Sequence, residues 1–117
     1  MQPALPPSER RRRPRARAAF AVALSTADEV LTATASDVSE LGLAVRCKQK
    51  LPMRGKLRIE LAIDGAAGKP PILGHVLRCT KVDATGREHH VAIAFTDVPP
   101  LVRAAIYAFV KKGAPAL

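Results

Sequence analysis

From Phe20 onward, apolar residues alternate with small or polar ones along most of the chain. That period of two puts every second side chain on one face of a strand. Phe20, Val22 and Leu24 alternate with Ala19, Ala21 and Ala23 in a first strand. Asp28-Glu29 is turn chemistry, and Val30 to Val38, rich in β-branched residues, is a second strand. Leu43, Val45 and Cys47 alternate with Ala44, Arg46 and Lys48 in a third. Lys56 to Ile63 is the clearest, with Leu57, Ile59, Leu61 and Ile63 on one side and Lys56, Arg58 and Glu60 on the other. Turn chemistry brackets it, Leu51-Pro52-Met53-Arg54-Gly55 before and Asp64-Gly65 after. A longer apolar strand spans Ile72 to Val82, Asp83 to Gly86 turns, and His89, Val91, Ile93 and Phe95 alternate with His90, Ala92, Ala94 and Thr96 in a sixth. The period then changes. Asp97 is placed to cap and Pro99-Pro100 to occupy a first turn; Leu101, Ala105, Ile106, Phe109 and Val110 share a helical face that Lys111-Lys112-Gly113 ends.

These elements predict a mainly β protein: a small six-stranded antiparallel β-barrel with a C-terminal α-helix. Closure removes the edges an open sheet of short strands would present. The helix is expected to cover an open end or an apolar flank. A chain of 117 residues is the size of one domain. It divides into a tail over 1–9, a single domain over 10–112 and a tail over 113–117. Within the domain, 10–17 is an arginine-rich arm, 18–96 carries the barrel strands and 99–112 the helix. Aromatics are limited to Phe20, Phe95, Tyr107 and Phe109, so the core must be aliphatic.

Charge sharpens this picture. The formal net charge is +9, which predicts attraction to phosphates. Six of the nineteen basic residues fall between Arg10 and Arg17, so the excess is a localised cationic arm. The arm followed by Ala18-Ala19-Phe20-Ala21-Val22-Ala23-Leu24 imitates a secretory signal, twin arginines included. Strict alternation with alanine is a strand's pattern instead, and a cytoplasmic location is the expectation. No stretch approaches the roughly 20 apolar residues of a membrane span. Cys47 and Cys79 lack the density of a disulfide scaffold and read as small buried thiols. His75, His89 and His90 have no metal-ligand spacing, and adjacent strand residues such as His89 and His90 point apart. No nucleophile–base motif is readable, so an enzyme is not expected, nor a cofactor.

One further string carries chemistry. Asp37-Val38-Ser39-Glu40-Leu41-Gly42 is D-x-S-x-x-G at the junction of the second and third strands. Alone, Asp37 and Ser39 could simply cap a turn and Gly42 could be a turn or bulge glycine. The arm alone could be a solvated tail or a nonspecific nucleic-acid clamp. Together, guanidinium groups, a carboxylate, a hydroxyl and a glycine suit an anionic ligand carrying guanine bases.

An R-x-x-x-R arm before the first strand with D-x-S-x-x-G closing the second resembles the PilZ domain, a bacterial receptor for the second messenger cyclic di-GMP. Gly74-His75-Val76-Leu77-Arg78 and His90-Val91-Ala92-Ile93-Ala94-Phe95-Thr96-Asp97 are similar to that family's fifth and sixth strands. The resemblance implies Arg11, Arg15, Asp37, Ser39 and Gly42 as ligand residues. Arg13 with Arg17 has the same spacing as Arg11 with Arg15, and Arg10, Arg12, Arg13 and Arg17 are additional candidates. It implies a signalling receptor whose arm orders on binding and acts on an unidentified effector protein, with motility or exopolysaccharide regulation among its outputs. Two other readings stand beside it: a basic nucleic-acid-binding barrel, which lacks a stacking platform of aromatics, and a protein-interaction adaptor of the same fold that binds no nucleotide.

Overall fold

The computed structural model describes residues 15–112 other than Met53, Asp83 and Gly86, with Arg15 described by its backbone. The strands are β1 (Arg15–Arg17), β2 (Ala21–Ser25), β3 (Val30–Ser39), β4 (Gly42–Cys47), β5 (Lys56–Leu61), β6 (Ile72–Lys81) and β7 (His89–Asp97). A helix, α1, follows at Pro100–Lys112. Sheet order is β1-β3-β2-β5-β6-β7-β4, and a further β3–β4 pairing closes β3-β2-β5-β6-β7-β4 into a six-stranded barrel. Every pairing is antiparallel. The mainly β barrel with a terminal helix is therefore what the alternation predicts.

β1 lies outside that closed circuit, where the sequence pattern has only the end of a free arm. Its cause is the length of β3. Val30–Thr34 pair with β2, which leaves the same edge open at Asp37–Ser39. Unpaired strand edges leave backbone donors and acceptors to be satisfied. Arg15, Ala16 and Arg17 supply the partner, opposite Ser39, Val38 and Asp37. Between β1 and β2 the Ala18 N–H donates to the Ser36 carbonyl at 3.0 Å, and the Ala35 N–H to the Phe20 carbonyl at 2.9 Å. β1 and β2 thus follow one edge of β3 as a single broken strand.

The core is aliphatic, with Leu24, Val45, Ile59, Val76, Val91 and Ile106 among its fully buried side chains. Each contributes about 1.5–3 kcal/mol by leaving water. Lys56–Leu61 alternate exposed and buried without exception. The helix corrects one expectation. Leu101 is 61% exposed, whereas Val102, Ala105 and Ile106 are buried. Val102, Ala105, Ile106 and Phe109 carry the same three-and-four spacing, and the chain descends into the helix from the buried Val98, which sets the stripe that meets the barrel. Phe109 meets Phe20 edge to face, ring centroids 5.2 Å apart.

Two glycines let β7 be gripped from both sides. A Cβ on Gly42 of β4 would collide with the Ile93 carbonyl oxygen, and one on Gly74 of β6 would lie 2.5 Å from the Ala94 carbonyl oxygen. Neither glycine has positive φ; close backbone approach is what each supplies. Arg54, in contrast, adopts φ 61°, a conformation costing a side-chain-bearing residue about 1–2 kcal/mol. Its N–H donates to the Val76 carbonyl at 2.8 Å and the Val76 N–H to the Gly55 carbonyl at 3.0 Å, tying this turn to β6.

Cys47 is buried, and Cys79 is half-buried against the core; both are free thiols. Burial pushes the Cys47 thiol above its ordinary value; a backbone hydrogen bond from Gln49 to the sulfur opposes this, and nearby Cys79 adds to the rise. The folded state therefore holds that proton more tightly than the unfolded one. The associated stability is full below the ordinary thiol value and is lost as pH rises above it.

Two measurements check this frame. Gly42→Ala should lower the urea-unfolding free energy by about 1–3 kcal/mol, as overpacking against rigid backbone does; unchanged stability would mean β4 and β7 can separate freely. Iodoacetamide at neutral pH should label Cys79 well ahead of Cys47, and equal rates would contradict the burial of Cys47.

Candidate functional site

Asp37 lies on β3, where Ala33 and Ala35 point into the core. An unbroken alternation would send Asp37, two residues on, inward as well. Instead the β3–β4 register passes from Ala35↔Val45 to Asp37↔Ala44, leaving Ser36 as an extra residue. Such a bulge reverses the phase of the strand. Val38 enters the core fully, and Asp37 turns to the outside. The Ser36 hydroxyl fixes the bulge by donating to the Ala44 carbonyl at 3.2 Å, and His90 Nε2 stands 3.4 Å from the Ser36 hydroxyl oxygen.

Ser39 is enclosed. Its side chain has no exposed area; its hydroxyl accepts the Leu41 N–H at 3.1 Å and lies 3.5 Å from the Gly42 carbonyl, to which it donates. It holds the Ser39–Gly42 turn, the bland role open to it from sequence. The Phe95 N–H then donates to the Leu41 carbonyl at 2.9 Å, clamping the turn onto β7. Gly42 completes the clamp through its close approach to Ile93. Within the motif, Asp37 faces out while Ser39 and Gly42 shape the corner behind it.

The arm's root comes directly alongside. Arg15 stands opposite Ser39 and Arg17 opposite Asp37, with Ala16 buried between them. Arg10, Arg11, Arg12 and Arg13 lie outside the described residues, as does the Arg15 side chain. An open cavity of about 480 Å³ is lined by Arg17, Thr34, Ser36, Asp37 and Arg46, with Ala18 and Ala19 along its edge. Arg46 is the residue that sequence reasoning passed over. Alternation puts it outside the barrel, but pairing with Thr34 on β3 is what brings it to the cavity that Asp37 lines. His90, opposite Arg46 on β7, was likewise without an assigned partner.

The remaining histidines and cysteines sit elsewhere. His89 is buried on the core side with Nδ1 lacking a hydrogen-bond partner, while His90 is half-buried on the other face. Among the described residues, no three His, Cys, Asp or Glu side chains gather as a metal site. Among them, too, no helix is long and apolar enough to cross a membrane.

The barrel is closed by β3–β4, and the root of the arginine arm lies beside an outward carboxylate on β3. The family model for the PilZ domain matches residues 9–112, and the chain belongs to that family, whose members are cyclic di-GMP receptor and adaptor domains. Among solved structures it is similar to the Bacillus subtilis inhibitor of motility MotI/DgrA, at 16% identity and TM-score 0.71, over 92% of this chain and 56% of that one. The chain thus spans little more than half the length of that protein. It is also similar to the PilZ domain with c-di-GMP of YcgR from Escherichia coli, at 18% identity and TM-score 0.65, over 87% of this chain and 89% of that one. At these identities the likeness is one of fold. No curated protein matches the sequence.

Because the Ser39 hydroxyl satisfies the Leu41 N–H in a closed corner, Ser39→Ala should cost about 1–3 kcal/mol in denaturant unfolding. Ser39→Thr, which keeps the hydroxyl but adds a methyl group to a filled site, should also be destabilised. A neutral Ser39→Ala would show that the corner holds without this bond.

Proposed function

We propose that the protein is a cyclic di-GMP-responsive module that acts by binding, without catalysis, in the cytoplasm. The observation that carries this reading is the β1–β3 register, which sets the root of the arginine arm against Asp37. Cyclic di-GMP presents two phosphates and two guanines. Guanidinium is planar and permanently charged, and its donor fork meets phosphate oxygens or the guanine O6/N7 edge bidentately. The Asp37 carboxylate accepts from guanine N1–H and the exocyclic amine, a pair that adenine does not offer. Arg11 and Arg15, or Arg13 and Arg17 at the same spacing, supply the cationic half of the site. Arg10 and Arg12 add to its field, and Arg46 brings a further guanidinium from the β4 side. Ser39 and Gly42 act through the shape of the turn that presents Asp37.

Binding would fix the arginine arm, residues 10–17, over the cavity, ordering the part that precedes the paired Arg15–Arg17 at an entropic cost that the ligand contacts offset. The ordered arm changes the surface offered to an effector protein. One structural neighbour is named an inhibitor of motility, and motility is accordingly a candidate output here.

Calorimetric titration with cyclic di-GMP, set against single-stranded RNA at two salt concentrations, tests the reading. The cyclic dinucleotide should bind selectively. Asp37→Ala should weaken it about 5- to 150-fold, the worth of a bidentate base contact. Arg11→Ala, Arg13→Ala, Arg15→Ala and Arg17→Ala titrated side by side assign the arginine pair. Affinity that falls steeply with salt for both ligands and ignores Asp37→Ala would make the protein a nonspecific polyanion binder. Hydrogen exchange in residues 10–17 should slow at saturation; unchanged exchange would remove arm ordering from the mechanism.

A further inference from the structure

On the opposite side of the barrel from β3, β5 and β6 carry a groove of about 1020 Å³ to which no function has been assigned. Its lining is mixed in an informative way. Arg54, Lys56 and Arg58 contribute three cations, and among the described residues no Asp or Glu lines it. Leu73 and Leu77 are 42% and 53% exposed, large aliphatic side chains left open to water on the same outer face of β6. Exposed apolar side chains gathered in a groove mark recognition surfaces.

The local backbone aims these groups. The β6–β7 register passes from Val76↔Ile93 to Arg78↔Ala92, leaving Leu77 unpaired, and from Leu73↔Asp97 to Gly74↔Phe95, leaving Thr96 unpaired. Both extra residues line the groove. Bulges re-aim side chains, and two converging on one groove are a construction of the sheet. The Leu77 bulge also reverses the phase of β6: Leu73, His75 and Leu77 face outward before it, while Cys79 turns toward the core after it. Arg54, at positive φ, is held at the groove by its turn's two hydrogen bonds to Val76.

We infer that this groove is the docking site for an extended, acidic peptide segment of a partner protein that carries aliphatic side chains at alternate positions. Charge complementarity selects the acidic character. Two leucines four residues apart on a strand are about 13 Å apart, the spacing that side chains i and i+4 of an extended peptide share. Nucleic acid suits the lining poorly, because no aromatic side chain offers a stacking surface there. The site does not rest on nucleotide binding; it gives the domain a second face, across the barrel from the arginine arm.

The test is a selection of a random linear peptide library, displayed on phage, against the full-length protein. Enriched peptides should combine Asp or Glu with aliphatic residues spaced two or four apart. Leu77→Ser and Arg58→Glu, both at exposed positions, should each weaken a synthesised winner at least tenfold by fluorescence anisotropy, with far-UV circular dichroism and the cyclic di-GMP titration unchanged. Peptides that bind both variants as tightly as the parent protein would overturn the assignment, as would winners without acidic residues or no enrichment at all. A concentration-dependent dimer that Leu77→Ser dissolves would overturn it in favour of a second copy of this chain. Loss of peptide binding with retained nucleotide binding, or the reverse, separates the two sites.

Discussion

The phase of strand β3 is the constraint on which the rest of the site depends. Ala33 and Ala35 commit the odd-numbered residues of that strand to the core. A carboxylate at position 37 would follow them into an aliphatic interior, where an unpaired charge costs several kcal/mol. The single extra residue at Ser36 reverses the alternation, sends Val38 inward and brings Asp37 to the surface. Its hydroxyl bond to the Ala44 carbonyl ties the irregularity to β4. One bulge thus reconciles a closed apolar core with an outward acidic group.

The same strand explains why the arm is anchored where it is. β3 extends past β2 by the residues that include Asp37 and Ser39, and the open edge is satisfied by Arg15–Arg17. The cationic root therefore reaches the carboxylate through backbone pairing, and electrostatic attraction is not needed to bring it there. Helix α1 lies near both β1 and β3, so the packed end of the barrel and the arm's root are mechanical neighbours. On the far side of the seam, the glycines at 42 and 74 bring β4 and β6 tight against β7. The corner behind Asp37 is accordingly rigid, and what stands in front of it is cationic.

Bulges recur at both surfaces with exposed chemistry. Ser36 redirects β3 at the arginine seam, while Leu77 and Thr96 redirect β6 and β7 at the basic groove. In a barrel this small, strict alternation leaves few ways to present a chosen side chain without sacrificing a core position. An extra residue achieves that locally, and its cost is confined to one or two lost ladder bonds. β3 and β6 lie across the closed circuit from each other, so the two surfaces do not compete for the same residues.

Period-two alternation determined the six barrel strands, because strands half-buried around one core must alternate. The change of period at Asp97 determined the helix. D-x-S-x-x-G, a local string, was equally legible, and so was the concentration of arginines before the first strand. Which helical stripe is buried was not legible, since Leu101 and Val102 each begin a plausible face and only docking on the barrel selects Val102. The three bulges, the pairing of Arg15–Arg17 with β3 and the arrival of Arg46 beside Asp37 were decided by tertiary structure alone. Register between strands depends on residues far apart in sequence. A periodic pattern shows that a residue alternates, but not which neighbour it will face.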